Sequence, residues 1–200
     1  MRNPRALTAL ARRRLLKWGC ALGLGAPKAL FADEASDIAM APPQAGDTLV
    51  FAFGDRAGEA IRPDDLGVAS RQVFAYAKDT ESGVVRDGNR LNQVLLIRLD
   101  PAMLSEETAA RAANGVVAYS GVCSHTGCDV TDWDAESSRF QCPCHESQFD
   151  PADSARVVGG PAPWQLASLP LGLDGDVLSV TGTFVGRVGF MQPGQDLFGL

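Results

Sequence analysis

Two short segments rich in cysteine and histidine constrain this chain more than any other feature. "CSHTGC" at 123–128 and "CPCHES" at 142–147 hold four of the five cysteines and both histidines of the 200 residues. Thiol and imidazole groups spaced closely on tight loops converge on a metal without straining the backbone. A fold for this chain must therefore bring the two segments, called here box 1 and box 2, side by side.

The apolar segments predict short strands with turns between them. Runs rich in aliphatic and aromatic residues occur at 47–53, 71–77, 92–99 and 116–122, and shorter ones follow from 139 onward. The continuous apolar centre of 92–99 predicts a strand that is buried on both faces. Residues 101–114 begin with proline and end with Asn-Gly, which predicts one helix. The expected fold is mainly β, small and antiparallel, with both boxes on loops between strands.

The first 32 residues resemble a bacterial export signal. They contain seven basic residues, no acidic residue and a short apolar run, and Arg12-Arg13-Arg14-Leu15-Leu16-Lys17 is similar to the twin-arginine motif. The run is shorter than the roughly 20 residues that a membrane-spanning helix needs. We expect cleavage near Ala32 and delivery to the periplasm, where an uncleaved N-terminus would leave the protein associated with the membrane. Residues 33–46 are then a linker, and 47–200 form one domain.

The charge of the chain excludes one class of partner. Of 18 basic residues, seven lie in the first 32, which leaves 11 basic against 24 acidic side chains in 33–200. Nucleic acids bind to clusters of Lys and Arg, and a domain with this excess of acidic residues is therefore not expected to bind them. The excess of acid would suit a basic electron-transfer partner, although it also serves solubility alone.

Two interpretations of the boxes follow from their residues. Two cysteines and two histidines meet the tetrahedral demand of a structural zinc ion, but that arrangement leaves two further cysteines without a purpose. The alternative uses all six residues. The order C-x-H-x-G-C followed by C-P-C-H-x-S, including Pro143 and Ser147, resembles the Rieske iron–sulfur proteins.

That resemblance implies a Rieske-type antiparallel β-sandwich with a small cluster-binding subdomain, whose loops span about 119–164. It implies a [2Fe-2S] cluster with Cys123 and Cys142 on one iron and His125 and His145 on the other. Such mixed ligation raises the reduction potential above that of all-cysteine clusters. The resemblance further implies a disulfide between Cys128 and Cys144 that joins the two boxes.

Residues around the ligands are also carried over from the resemblance. Ser147 matches a serine whose hydroxyl donates to a bridging sulfide and raises the potential. Phe149 stands where high-potential members carry a tyrosine that donates to a cysteine sulfur, so a lower potential is expected. "GGPAPW" at 159–164 resembles the proline loop that covers the cluster. Thr126 and Glu146 depart from the usual bulky apolar residue and glycine at their positions.

No catalytic site of the chain's own is expected, because both histidines are assigned to iron and no phosphate-binding glycine loop occurs. The chain is expected to carry electrons as a subunit of a complex whose larger redox subunit, of molybdopterin or cytochrome b type, does the substrate chemistry. A c-type cytochrome is the expected further partner.

The favoured complex is a periplasmic molybdenum oxidoreductase of arsenite-oxidase type, whose small subunit the chain resembles over roughly 93–190. The alternative is a quinol–cytochrome c reductase of the cytochrome bc kind, which "GGPAP" supports. Rieske ferredoxins and ring-hydroxylating oxygenases lack counterparts of Cys128 and Cys144 and are disfavoured. The role of residues 47–92 has no explanation in the sequence.

Overall fold

The computed structural model describes residues 28–190, and side chains from 34 onward. Ten strands and two α-helices follow one another in this part of the chain. In order they are α1 Lys28–Met40, β1 Thr48–Phe51, β2 Val73–Lys78, β3 Val94–Arg98, α2 Glu106–Ala109, β4 Val116–Ser120, β5 Asp132–Asp134, β6 Arg139–Cys142, β7 Ser147–Asp150, β8 Arg156–Gly159, β9 Leu171–Asp174 and β10 Val177–Val180. Single 3-10 turns lie at Pro63–Asp65, Arg90–Asn92 and Pro101–Met103.

The strands form two antiparallel sheets. The larger has six strands in the order β4-β3-β2-β1-β10-β9, and the smaller has four in the order β5-β6-β7-β8. Residues 167–169, just before β9, bond along the free edge of β4: Ser120 N–H donates to Ala167 O at 2.8 Å and Leu169 N–H to Ala118 O at 2.9 Å. The large sheet therefore curls until its two edges meet, which protects the edge of β4. This mainly β architecture confirms the expected fold class.

Strand β3 has apolar partners on both of its faces, as its continuous apolar run predicts. Val94 and Leu96 face one core, inside the curl of the large sheet. Leu95 and Ile97 face a second core, shared with the small sheet and with the two boxes. All four side chains are fully buried. The second core matters for function because it fixes the small sheet, and hence the boxes, against a rigid base.

Residues 47–92 have a structural role that the sequence did not reveal. They supply β1 and β2, which are central strands of the six-stranded sheet. Leu49, Ala75 and Ala77 are fully buried in the first core. The segment thus connects β3 to β10 in the order of the large sheet.

Two sequence-based element assignments differ from the structure. The helix expected at 101–114 is instead a 3-10 turn and the four-residue α2, because Asp100 and Ser105 each cap a backbone N–H and start a new turn. The linker expected at 33–46 contains the end of α1, which runs to Met40. Ala, Leu, Glu and Met favour helix there, and Pro42 and Pro43 prevent its continuation.

The N-terminal helix is attached to the domain at its C-terminal end. Asn92 Nδ2 donates to Ala41 O at 2.8 Å, and Gly88 N–H donates to Ala39 O at 3.0 Å. No helix within residues 28–190 is long and apolar enough to cross a membrane. The expected export signal lies mostly in residues 1–27, outside the described part of the chain, and stays a prediction.

Candidate metal centre

Both boxes form tight hairpin turns of the same shape. Box 1 follows β4, and Gly127 N–H donates to Cys123 O at 3.1 Å; box 2 joins β6 to β7, and Glu146 N–H donates to Cys142 O at 2.9 Å. Each turn closes with a left-handed residue at the same place, Gly127 at φ 81° and Glu146 at φ 58°. The geometry explains why glycine suits this place and shows that Glu146 occupies it under strain.

A disulfide joins the two turns. Cys128 and Cys144 are bonded with an S–S distance of 2.06 Å, as the resemblance implied. The Cys142 Sγ lies within 4.8 Å of both bonded sulfurs. Those two sulfurs have no thiolate to offer, so this group of three cysteines is not a metal site by itself. Within the part of the chain that the structure describes, the sulfur ligands available are the two cysteines outside the disulfide, Cys123 and Cys142.

Those two cysteines are free and buried close together. The side chains of Cys123 and Cys142 are 1% and 2% exposed. Burial, followed by the neighbouring Cys123 thiol, raises the pKa of the Cys142 thiol to about 11, although a hydrogen bond from the Cys144 backbone N–H opposes the shift. A metal that binds here must displace a proton from a thiol that is otherwise neutral. The His125 backbone N–H donates to Cys123 Sγ at 3.5 Å.

The two imidazoles lie beside one another. The ring centroids of His125 and His145 are 4.6 Å apart and the rings are nearly perpendicular. His145 is exposed, whereas His125 is half-buried and its buried Nδ1 has no hydrogen-bond partner among the described residues. A buried ring nitrogen without a partner is costly unless a metal or water satisfies it. The donor set therefore fits a centre with two sulfur and two nitrogen ligands.

Ser147 and the proline loop close over the boxes. Ser147 is fully buried, and its Oγ accepts the Ala162 N–H at 3.1 Å. A Cβ at Gly160 would overlap the backbone of Ser147, so only glycine allows this close approach. From the other box, Ser124 donates its hydroxyl to Trp164 O at 2.5 Å. Residues 159–164 thus contact both boxes, in the position expected for the proline loop.

The remaining residues singled out in the sequence lie around this centre. Phe149 is fully buried in the second core and pairs with Phe140 across β6 and β7. Thr126 is exposed, with its Oγ1 3.8 Å from Cys128 Sγ.

Sequence reasoning missed two residues that contact box 1. Arg90 donates to the Gly127 carbonyl, and the Phe190 ring lies against the Gly127 Cα. No local pattern marks either residue, because each is more than 30 positions from the glycine that it contacts.

Buried thiols and paired imidazoles on two joined loops define the class of iron–sulfur proteins with mixed cysteine and histidine ligands. Residues 71–170 match the family model described as Rieske [2Fe-2S] domain. The chain belongs to this Rieske family, and its cofactor is a [2Fe-2S] cluster that makes it an electron-transfer protein.

The chain is similar to several curated Rieske proteins. The cytochrome bc1 complex Rieske iron-sulfur subunit of Streptomyces lividans is 35% identical over 138 residues, 66% of this chain and 79% of the relative. The subunit of that name in Mycobacterium tuberculosis H37Rv is 33% identical over 145 residues, 64% of this chain and 34% of the relative. A putative respiratory nitrate reductase subunit Rieske of Haloferax mediterranei is 46% identical over 83 residues, 41% of this chain and 36% of the relative. The chain thus spans only about a third of the length of some relatives.

Two solved structures are among those to which the chain is similar. The ferredoxin of carbazole 1,9a-dioxygenase from Nocardioides aromaticivorans is 19% identical, with a TM-score of 0.43, and the match covers 62% of this chain and 95% of that one. The soluble domain of Rieske protein II from Sulfolobus acidocaldarius is 20% identical, with a TM-score of 0.36, and the match covers 48% of this chain and 68% of that one.

Proposed function

We propose that Cys123 and Cys142 hold one iron of the cluster and that His125 and His145 hold the other. The buried free thiols beside the paired imidazoles are the observation that carries this assignment. When bound, such a cluster accepts and releases a single electron. His145 is the exposed ligand, so electrons enter or leave at this edge.

The chain's other residues hold this arrangement and adjust it. The disulfide Cys128–Cys144 keeps the two hairpin turns together when the ligands are not bound to iron. Since Ser147 Oγ accepts the Ala162 N–H, its own hydroxyl hydrogen remains available to donate toward the cluster. Phe149 has no such donor, which favours a lower potential than a tyrosine would allow.

Metal analysis of the purified full chain tests the ligand assignment. We expect two irons and two acid-labile sulfides per chain, with visible absorption and a Rieske-type EPR signal in the reduced state. Cys123→Ala and His145→Ala should abolish the signal, whereas the matched surface variant Thr126→Ala should retain it. Stoichiometric zinc in place of iron, or a full signal in His145→Ala, would overturn the assignment.

Two kinds of complex fit an electron-transfer subunit of this type. The names of several relatives that are 32–35% identical over about two thirds of the chain support a quinol–cytochrome c reductase, in which the partners are a cytochrome b and a c-type cytochrome. Phe149 and the relative named as a nitrate reductase subunit support a molybdenum oxidoreductase of arsenite-oxidase type. We place the first ahead of the second because its relatives match over a longer part of the chain.

The location in the cell is part of the same proposal. We place the domain in the bacterial periplasm, delivered by the twin-arginine route with its cluster already inserted. The arginines at 12–14 and the disulfide, which persists in oxidising compartments, support this placement. Replacing Arg12, Arg13 and Arg14 by Lys should retain the holoprotein in the cytoplasm; unchanged export would overturn the route.

Isolation of the native complex through a tag on the full chain decides between the partners. We expect the b-type haem absorption of a cytochrome b to co-purify with the Rieske EPR signal. Molybdenum in stoichiometric amount without b-type haem would overturn the first candidate in favour of the second. The absence of both, with the cluster intact, would overturn membership in either complex.

A further inference from the structure

We propose that residues 186–190 and Arg90 act as a clasp that positions box 1 against the proline loop and restricts access to the cluster. The inference rests on the ligand assignment proposed above. Residues 186–190 lie beyond 71–170, the part of the chain that matches the Rieske domain. The clasp therefore lies outside the part of the chain that the family model covers.

The first contact of the clasp is with the proline loop. Trp164 Nε1 donates to Gly189 O at 3.2 Å. The Arg187 guanidinium lies over the Trp164 ring, 5.1 Å from its centroid. Because the Trp164 carbonyl also accepts the Ser124 hydroxyl, one tryptophan links the clasp, the proline loop and box 1.

The second contact is with box 1 itself. The Phe190 ring covers the Cα of Gly127, where any Cβ would overlap it. Next to it Gly189 is buried with φ 72°, and a Cβ there would lie 3.3 Å from Leu91 Cδ2 and 3.4 Å from Val122 Cγ1. The Phe190 ring can lie this close only because Gly127 lacks a side chain, and at Gly189 the left-handed φ favours glycine.

Arg90 holds box 1 from another direction. Its guanidinium donates to the Gly127 carbonyl and lies 3.2 Å from the Asp129 carboxylate. Box 1 is thus fixed at Gly127 by a cation and an aromatic ring. That residue lies between the ligand His125 and the disulfide cysteine Cys128. Movement of the turn that would expose the cluster or rotate the His125 imidazole must break these contacts first.

Loss of the cluster to a chelator measures how often this region opens. In the full holoprotein with excess EDTA, we expect Phe190→Ala to bleach about ten-fold faster than wild type, which corresponds to about 1.4 kcal/mol of lost local stability. Phe190→Leu should restore most of the protection. Trp164→Phe, which keeps the ring and removes the N–H, should give an intermediate rate. The matched control is Phe53→Ala, since Phe53 is 60% exposed and contacts Phe74 and Tyr76 rather than a box.

Visible circular dichroism and the reduction potential separate positioning from simple stability. We expect the visible dichroism to change in Phe190→Ala, and the potential to fall in Arg90→Gln, because removal of a nearby cation disfavours the added electron. Bleaching at the control rate, or acceleration matched by an equal loss of global stability with unchanged dichroism and potential, would overturn the clasp. A wild-type chain without an iron–sulfur spectrum would overturn the proposed function, and the clasp with it.

Discussion

At the scale of single residues, the departures of this chain from the Rieske pattern differ in physical consequence. Thr126 is exposed and makes one weak contact, so little depends on it. Glu146 is exposed too, but its backbone is left-handed at φ 58°. Phe149 is fully buried in the second core, where an added hydroxyl would need a partner. Two of the three departures therefore predict measurable effects.

Glu146→Gly should stabilise the folded chain by about 0.5–1 kcal/mol. Glycine removes the Cβ strain of the left-handed conformation, which exceeds the entropy that the unfolded chain gains. Chemical denaturation of the holoprotein measures the change. The control is Glu136→Gly in the β5–β6 turn, where an exposed acid has negative φ and glycine should not stabilise. Equal effects in both variants would show that the strain at Glu146 is negligible.

Phe149→Tyr should raise the reduction potential. The new hydroxyl would donate to a cysteine sulfur and stabilise the reduced cluster by about 1 kcal/mol, or roughly 40 mV for a one-electron couple. Ser147→Ala should lower the potential by a similar amount, since it removes the Ser147 hydroxyl that is available to donate toward the cluster. Protein-film voltammetry measures both shifts. An unchanged potential in Phe149→Tyr would mean that its hydroxyl points away from the sulfurs.

At the scale of elements, the two boxes are equivalent hairpin turns supported by different sheets. Box 1 leaves β4 of the large sheet, whereas box 2 lies within the small sheet between β6 and β7. The disulfide, the proline loop and the clasp are the connections that hold the two turns in register. The centre consequently lies at the junction of the two sheets.

The N-terminal helix is a second element whose attachment can be tested. Arg86 is buried and pairs with Asp47 at 2.7 Å, and it donates to Ile38 O at 3.2 Å. Asn92 Nδ2 donates to Ala41 O at 2.8 Å and to Arg86 O at 3.1 Å. A buried ion pair of this kind needs all its partners, because an unpaired buried charge is costly.

Asn92→Ala should destabilise the protein by about 1–3 kcal/mol, because it leaves buried carbonyls without donors. Hydrogen exchange should become faster at residues 39–41, and urea denaturation measures the loss of stability. Gln44→Ala, at an exposed side chain of the same connection, should change stability by less than about 0.5 kcal/mol. A loss of stability without faster exchange at 39–41 would show that Asn92 supports the domain rather than the helix.

At the scale of the whole molecule, charge is the property that a partner meets first. Residues 34–190 contain 11 basic and 22 acidic side chains. Within this part of the chain, ion pairs engage seven of the basic and ten of the acidic residues, which leaves an excess of unpaired acid. An acidic surface accelerates encounter with cations and slows encounter with anions.

The rate at which small charged metal complexes oxidise the reduced holoprotein measures the electrostatic effect of this acidic surface. The rate with the cation tris(phenanthroline)cobalt(III) should fall as salt is added, because screening removes the attraction. The rate with the anion ferricyanide should rise under the same conditions. Stopped-flow absorbance at several ionic strengths gives both slopes. The reverse pattern would show that the exposed His145 edge has a positive local potential despite the charge of the domain.

Most of the strands could be predicted from local sequence patterns, whereas the way in which the strands assemble into sheets could not. Alternating apolar and polar residues, together with continuous apolar runs, predicted strands near β1, β2, β3, β4 and β6, because strand formation reflects the pattern of burial along a segment. The helix expected at 101–114 was wrong in length, since capping by Asp100 and Ser105 divides it. The curl of the large sheet was not predictable, because it depends on residues 167–169 meeting a strand about 50 positions earlier.

The order of cysteines and histidines by itself indicated the family and the cofactor through its resemblance to the Rieske proteins, because ligands on tight turns are closely spaced in the local sequence. It also supported the disulfide between Cys128 and Cys144 through the resemblance. Only the tertiary structure decided that residues 47–92 complete a sheet, that Glu146 is strained, and that Arg90 and Phe190 contact Gly127. Such contacts arise from the packing of distant segments, and no spacing within either segment records them.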